Sequence, residues 1–235
     1  FAGRCEGCLG FTMMPDVWAT NTDVFKGQPG AQHATVSSNN ALRQTLTLYH
    51  ELWSQHLAAP ESETETGATW GQDFLAGKIG MLPAGYGTAA SAPPAFQKQI
   101  GAVPLPGPDG GYSTFDGGAN FGIPKNAPNP SGAWEFVKFA LEKEHQAQAP
   151  LGGFEPIRTD VGTPAFKKKY PINAVLLNAL PKGYAPKTLS YNVTFNQPGG
   201  PWEQMFIKAV FDGDVNNAIK NGQTGFADAL SQAES

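Results

Sequence analysis

Two cysteines, four histidines and a set of loop aromatics are the residues of this 235-residue chain whose types could do chemistry. Cys5 and Cys8, in Arg4-Cys5-Glu6-Gly7-Cys8, form a Cys-x-x-Cys pair with three readings. A redox motif wants its first cysteine at the N-terminus of a helix, where the dipole favours the thiolate. Gly7, Gly10 and the lack of a helical pattern after Cys8 argue against it. A zinc site needs two further ligands at suitable spacing. His33, His50, His56 and His145 form no such cluster, and His50 and His56, six apart, face different sides of a helix. The pair therefore reads as a short disulfide stapling a loop in an oxidising compartment, with no metal expected.

No Gly-x-Ser-x-Gly elbow, His-Glu-x-x-His, phosphate loop or dinucleotide fingerprint is present, so neither an enzyme nor a cofactor is expected. Gly85-Tyr86-Gly87 lacks the third glycine and the following helix that a dinucleotide site needs. Tyr86, Phe154, Tyr191, Phe195 and Trp202 instead stand beside Gly, Pro or Asn, in loop-like settings. Sugars offer flat C–H faces to aromatic rings and hydroxyl rims to polar side chains and backbone amides. Such aromatics also serve as lids on a core.

Charge narrows the classes further. The net charge is −4 and the longest basic run is Lys167-Lys168-Lys169, which reads as a solvated helix face. A nucleic-acid binder needs a basic stripe to displace counterions, and none is visible. No apolar run approaches the roughly 20 residues needed to span a bilayer. Hydrophobic residues make up 40% and charged residues 15%, an ordinary folded composition. No signal peptide or lipoprotein-type cysteine stands ahead of Phe1-Ala2-Gly3, which leaves a mature, truncated or fragment chain open.

The elements that must hold these residues follow from periodicity and punctuation. Phe11 to Val17 reads as a strand or loop. Asn39/Asn40 caps a helix to about Leu57, with Leu42, Leu46, Tyr49 and Trp53 on one face. Thr69 to Gln72 fits a capping box for a short helix that stops at Gly77. Ile79–Leu82, Ile100–Leu105 and Asn120–Ile123 read as strands. Asn129-Pro130 opens a helix reaching about Ala149, with Trp134, Val137 and Leu141 on one side. Thr163-Pro164 opens another. Pro171–Leu180 is a third, burying Ile172, Val175, Leu176 and Ala179. Trp202–Phe211 is a helix with Met205, Phe206, Ala209 and Val210 at core spacing. Asp214 caps a turn through Ile219, and Gln223–Leu230 forms the last helix. Strands alternating with helices give an α/β class.

Five segments, taken in order, carry a resemblance. They are Trp70-Gly71-Gln72-Asp73-Phe74-Leu75-Ala76-Gly77-Lys78-Ile79-Gly80-Met81 with Pro83-Ala84-Gly85-Tyr86; Gly101 to Gly107; Gly117-Gly118 with Asn120 and Ile123-Pro124-Lys125; Ala133 to Phe139; and Gly153-Phe154-Glu155-Pro156-Ile157-Arg158-Thr159-Asp160. The ordered set, covering about Phe11 to Leu230, resembles the family-1 extracellular solute-binding proteins, relatives of maltose-binding protein.

The resemblance implies a class II periplasmic-binding-protein-like, two-lobed α/β fold that closes on a sugar by hinge motion. It implies a non-catalytic receptor, extracellular or periplasmic, that delivers a sugar or oligosaccharide to the membrane permease of an ABC importer. A lipid anchor upstream of this chain is one option. Residues 1–100 then correspond to the first part of the second, C-terminal lobe, 101–152 to a returning segment of the first lobe with its hinge crossovers, and 153–235 to the helical C-terminal part of the second lobe. Members carry a further stretch making most of the first lobe. Without it, the returning segment's apolar face, with Trp134 and Phe139, is expected to lie uncovered.

The ligand-binding positions implied are Tyr86, as the aromatic that stacks on a sugar ring, Gly117, Gly118 and Asn120 in the inter-lobe glycine loop, Phe154 and Arg158 at the lobe crossover, and Trp202 as a cleft aromatic. Phe11 and Thr12 fall in a loop that reaches the site in relatives, so a Cys5–Cys8 staple would shape that wall. A carbohydrate-active enzyme or lectin module, and a thiol–disulfide module using Cys5 and Cys8, stand as alternatives. The identity of the sugar is not legible.

Overall fold

The computed structural model describes residues 1–118 and 120–234; Ala119 and Ser235 lie outside the described residues. The chain divides into two compact units. Unit 1 gathers Phe1–Pro83, Leu105–Phe115 and Lys182–Ser235, and unit 2 gathers Ala84–Pro104 and Asp116–Pro181.

Unit 1 is built on helices. In chain order it holds α1 (Glu6–Trp18), the two-residue strands β1 (Phe25–Lys26) and β2 (His33–Ala34), α2 (Asn40–Ser54) and α3 (Gln72–Leu75). Unit 2 follows with α4 (Tyr86–Ser91) and α5 (Pro94–Gln97). The chain re-enters unit 1 for β3 (Leu105–Pro106) and β4 (Tyr112–Phe115). It then makes α6 (Pro130–Leu141), α7 (Lys143–Gln146), α8 (Pro164–Lys169) and α9 (Pro171–Ala179) of unit 2. It closes unit 1 with β5 (Gly183–Tyr184), α10 (Pro201–Val210) and α11 (Val215–Glu234).

A helix, α1, stands where a strand or loop is expected. Phe11–Val17 is helical, and the helix begins at Glu6, directly after Cys5. Gly7, Gly10 and Pro15 are poor helix residues, but packing overrides propensity. Leu9, Met13, Met14 and Val17 are wholly buried, each worth about 1.5–3 kcal/mol relative to exposure. The glycines are there for close approach: a Cβ on Gly7 would lie 2.9 Å from Asn196 Oδ1, and one on Gly10 3.3 Å from the Phe195 ring.

Asn39 caps α2 as read, its Oδ1 accepting the Leu42 N–H at 2.9 Å. Leu42, Leu46 and Tyr49 enter the core, while Trp53 packs at its edge against Phe211. α10 buries Trp202, Met205, Phe206, Ala209 and Val210. The last helix is one 20-residue element, not a turn plus a short helix. Gly222 and Gly225 sit within it because α10 presses against them: added Cβ atoms would meet Met205 Sδ at 2.5 Å and Pro201 Cβ at 3.1 Å. Asp214 does cap its start, accepting the Asn217 N–H at 3.2 Å.

The sheets are small. β1 pairs antiparallel with β2 (Phe25 opposite Ala34). β4 is central in a three-stranded sheet, antiparallel to β3 (Leu105 opposite Ser113) and parallel to β5 (Phe115 opposite Tyr184). The strands expected at Ile79–Leu82 and Asn120–Ile123 are irregular, and Ile100–Leu105 is strand only at its end. Thr69 does not cap α3: its hydroxyl turns back to accept the Thr66 N–H at 3.0 Å, and Gly71, at φ 86°, leads into the helix.

Unit 2 has a small core of Val161, Phe166 and Leu177, with Ala147, Tyr170 and Leu180 against it. Thr163 caps α8, accepting the Phe166 N–H at 3.2 Å. Asn129 caps α6, accepting the Gly132 N–H at 2.9 Å, and the helix ends at Leu141, with α7 separate. α9 turns Asn173, Ala174, Leu177 and Ala179 inward, so the expected face with Ile172, Val175 and Leu176 is rotated towards the half-buried side. α6 buries none of its residues; Trp134 and Phe139 are each 53% exposed. Trp134, Val137 and Leu141 lie along one side of it and Phe136, Phe139 and Ala140 along the other, a pattern typical of a helix covered all round.

Candidate functional site

The cysteines sit at the root of unit 1. Cys5 and Cys8 are joined as a disulfide, and Cys5 occupies the position preceding the first turn of α1. One turn on, Phe11 and Thr12 part company. Successive helical residues point about 100° apart. Phe11 is half-buried on the outer side, whereas Thr12 is buried and donates its hydroxyl to Cys8 O at 2.6 Å. The loop placement expected for both is corrected to a helical one, with Thr12 turned inward.

Phe11 starts a run of rings. It lies 6.2 Å from Trp70 and 5.5 Å from Phe115; Phe115 lies 6.2 Å from Trp18, nearly parallel, and Trp18 lies 5.1 Å from Tyr184. Phe11, Trp70 and Phe115 are half-buried and Tyr184 is exposed, so the run presents ring surface to solvent over a buried Trp18. Asp23 fixes one end. Its Oδ1 accepts Trp18 Nε1–H at 3.1 Å and the Val24 N–H at 2.7 Å, and its Oδ2 accepts the Tyr184 hydroxyl at 2.7 Å. Burial raises the Asp23 pKa above the usual carboxylate value, partly offset by those three donors.

Trp202 is corrected from a cleft aromatic to a core one. It is wholly buried, 5.6 Å from Phe195 and 6.5 Å from Phe226, because it lies on the inward face of α10. Its Nε1–H has no partner.

In unit 2 the structure brings Tyr86 to the Phe154 segment. The Tyr86 N–H donates to Glu155 Oε1 at 2.8 Å, its hydroxyl to Pro150 O at 3.4 Å, and Gly87 approaches the Gly153 carbonyl. Phe154 is 69% exposed beside them. Arg158 is committed elsewhere. Its guanidinium holds both Asp160 oxygens, at 2.9 and 2.8 Å, and donates to Leu141 O at 3.3 Å, so it ties the loop to α6. Gly117, Gly118 and Asn120 lie exposed between β4 and α6, with Gly118 in the left-handed region at φ 149°.

Trp18, Asp23, Phe115 and Tyr184 were not singled out by sequence reasoning. They come from three distant stretches of chain, and no spacing signals such a meeting. Two of the four histidines have structural partners: His50 Nδ1 lies 2.8 Å from Val210 O and His145 Nδ1 2.7 Å from Phe139 O. Among the described residues no group of three or more His, Cys, Asp or Glu is gathered to hold a metal. No helix among them is long and apolar enough to cross a membrane.

Fold and motifs together define a solute-binding protein of the periplasmic-binding-protein-like, two-lobed class. Residues 3–175 match the family model described as bacterial extracellular solute-binding protein, and the chain belongs to that family. No curated protein sequence matches it. Among solved structures it is similar to the maltose-bound MalE3 of T. maritima (TM-score 0.77, 22% identity, covering 95% of this chain and 58% of that one). It is also similar to the sugar-binding protein MalE of the phytopathogen Xanthomonas citri (TM-score 0.79, 17% identity, covering 99% of this chain and 57% of that one). The chain thus spans under two thirds of the length of either.

Proposed function

We propose that this chain is the greater part of an extracellular, non-catalytic carbohydrate receptor that delivers a sugar or oligosaccharide to the permease of an ABC importer. The observation that carries the reading is the run Trp70–Phe11–Phe115–Trp18–Tyr184 in unit 1, which offers partly exposed rings beside a carboxylate. Ring faces take the C–H faces of a sugar, and Asp23 and the Tyr184 hydroxyl suit its hydroxyl rim. Taken by itself, unit 2 offers an aromatic face of its own in Tyr86 and Phe154, and backbone and amide groups in Gly117, Gly118 and Asn120. Within unit 1, Thr12 and Trp202, both buried, act by supporting the helices that carry the rings, and within unit 2 Arg158 acts by holding its loop. The similar structures described as maltose-bound and sugar-binding support the ligand class.

In the whole receptor, a further stretch corresponding to the rest of the relatives' length completes the first lobe and covers α6. The two-sided apolar pattern of that helix supports this, as do its exposed Trp134 and Phe139. Residues 1–100 and 153–235 are then the second lobe and 101–152 the returning segment of the first. The receptor works outside the cytoplasmic membrane.

The test is a thermal-shift screen of this chain, and of a form extended upstream, against mono- and oligosaccharides. A ligand at 100 times its Kd stabilises by about 2.7 kcal/mol. One sugar class shifting the extended form, with a weaker response from this chain, supports the reading. No shift in either form removes the carbohydrate assignment.

A further inference from the structure

We propose that Cys5–Cys8 is an exchange-competent disulfide, opened by a dithiol that attacks Cys5 Sγ, rather than an inert staple. Despite Gly7, Gly10 and the lack of a helical pattern after Cys8, a helix follows the pair: α1 runs 13 residues from Glu6, with Cys5 immediately ahead of its first turn.

Three observations converge. Cys5 makes no side-chain capping bond to α1 while it is held in the disulfide. The first turn of a helix carries N–H groups without intrahelical acceptors, and a negative charge there is stabilised. Reduction would therefore place a Cys5 thiolate where an N-cap acceptor is wanted, and favour the open form. The Glu6 carboxylate in the same turn opposes this, and the bond is the more informative to measure for it.

Access is one-sided. Cys5 is half-buried and Cys8 only 6% exposed, so an incoming thiolate meets Cys5 before Cys8. The residue over the pair is the exposed Gly67: a Cβ there would lie 3.2 Å from Cys5 Sγ and 3.7 Å from Cys8 Sγ. Any larger residue there would press on the sulfurs, and glycine adds no side chain over them.

The step balances as ordinary exchange. A thiolate of the dithiol bonds to Cys5 Sγ, the Cys5–Cys8 bond breaks, and Cys8 leaves as thiolate and takes up a proton. The dithiol's second sulfur, giving up its proton, then attacks the mixed disulfide and releases Cys5. The dithiol is oxidised by two electrons and the protein disulfide reduced by two. This inference rests on the helix and the sulfurs alone and does not depend on the sugar reading.

The experiment titrates the native chain with dithiothreitol, without denaturant, and follows opening by a mass-resolved alkylation pulse while circular dichroism monitors the helices. Opening within minutes, with helicity retained and Cys5 alkylated about tenfold faster than Cys8 at pH 7, is the expected result. A bond that survives hours in excess reductant, that opens only as helicity is lost, or that yields two equally reactive thiols overturns the proposal.

Discussion

The Tyr184 hydroxyl donates to Asp23 Oδ2 at 2.7 Å across 161 residues of sequence, tying β5 to the turn that precedes β1. Tyr184→Phe removes that donor and leaves the ring. A hydrogen bond to a charged acceptor contributes about 1.5–3 kcal/mol, less for one that is partly exposed. The variant should lose about 1 kcal/mol in urea denaturation at pH 7. Because the bond favours the ionised carboxylate, the loss should shrink as pH falls and Asp23 protonates. A penalty that does not vary with pH would mean that the bond contributes nothing specific to the charged form.

Phe11→Ala removes the ring that links Trp70 to Phe115 while leaving the inward side of α1 untouched. In a sugar-responsive form of the protein, calorimetric affinity should fall about tenfold or more, equivalent to about 1.4 kcal/mol. Trp202→Phe should leave affinity unchanged. Trp202→Ala should cost about 3–5 kcal/mol of stability as a core cavity.

Asp16 supplies a pH dependence. It lies buried on α1 with Oδ1 unpartnered, and burial pushes its pKa up to about 7. The folded state therefore holds this proton more tightly than the unfolded chain does. The stabilisation is complete below the ordinary carboxylate value near 3.8, declines above it, and is gone once pH passes about 7. Asp16→Asn should raise the melting temperature at pH 8 by several degrees relative to the parent and change it little at pH 4. Equal effects at both pH values would remove Asp16 from the account.

Trp134 and Phe139 test the cover over α6. In this chain the double change to Ser should lower hydrophobic-dye binding and self-association without loss of melting temperature. In a form extended upstream, the same change should destabilise, because the rings would then be buried.

What was legible in the sequence follows a physical divide. The caps Asn39, Asn129 and Thr163 are local hydrogen bonds between residues three apart, and all three were read. α1 was missed because Gly7, Gly10 and Pro15 argue locally against a helix, while Phe195 and Asn196, far along the chain, require those glycines. The face of α9 was misassigned because periodicity marks an apolar stripe but not which edge of it meets Val161 and Phe166. Tyr86 and Phe154 were named from motifs, and their segments do meet, through Glu155. The ring run around Phe115 joins four stretches of chain and leaves no trace in spacing.

Unit 1 is assembled from three separated stretches, 1–83, 105–115 and 182–235. Its partners therefore emerge far apart in time when the chain is made from its N-terminus. The inward faces of α1 and α2, with Leu9, Met13 and Leu46, exist long before Phe206 of α10 and Phe226 of α11 arrive to seal them. Contacts this distant in sequence slow folding. A nascent chain of this design leaves those faces unsealed until α10 and α11 have both been made.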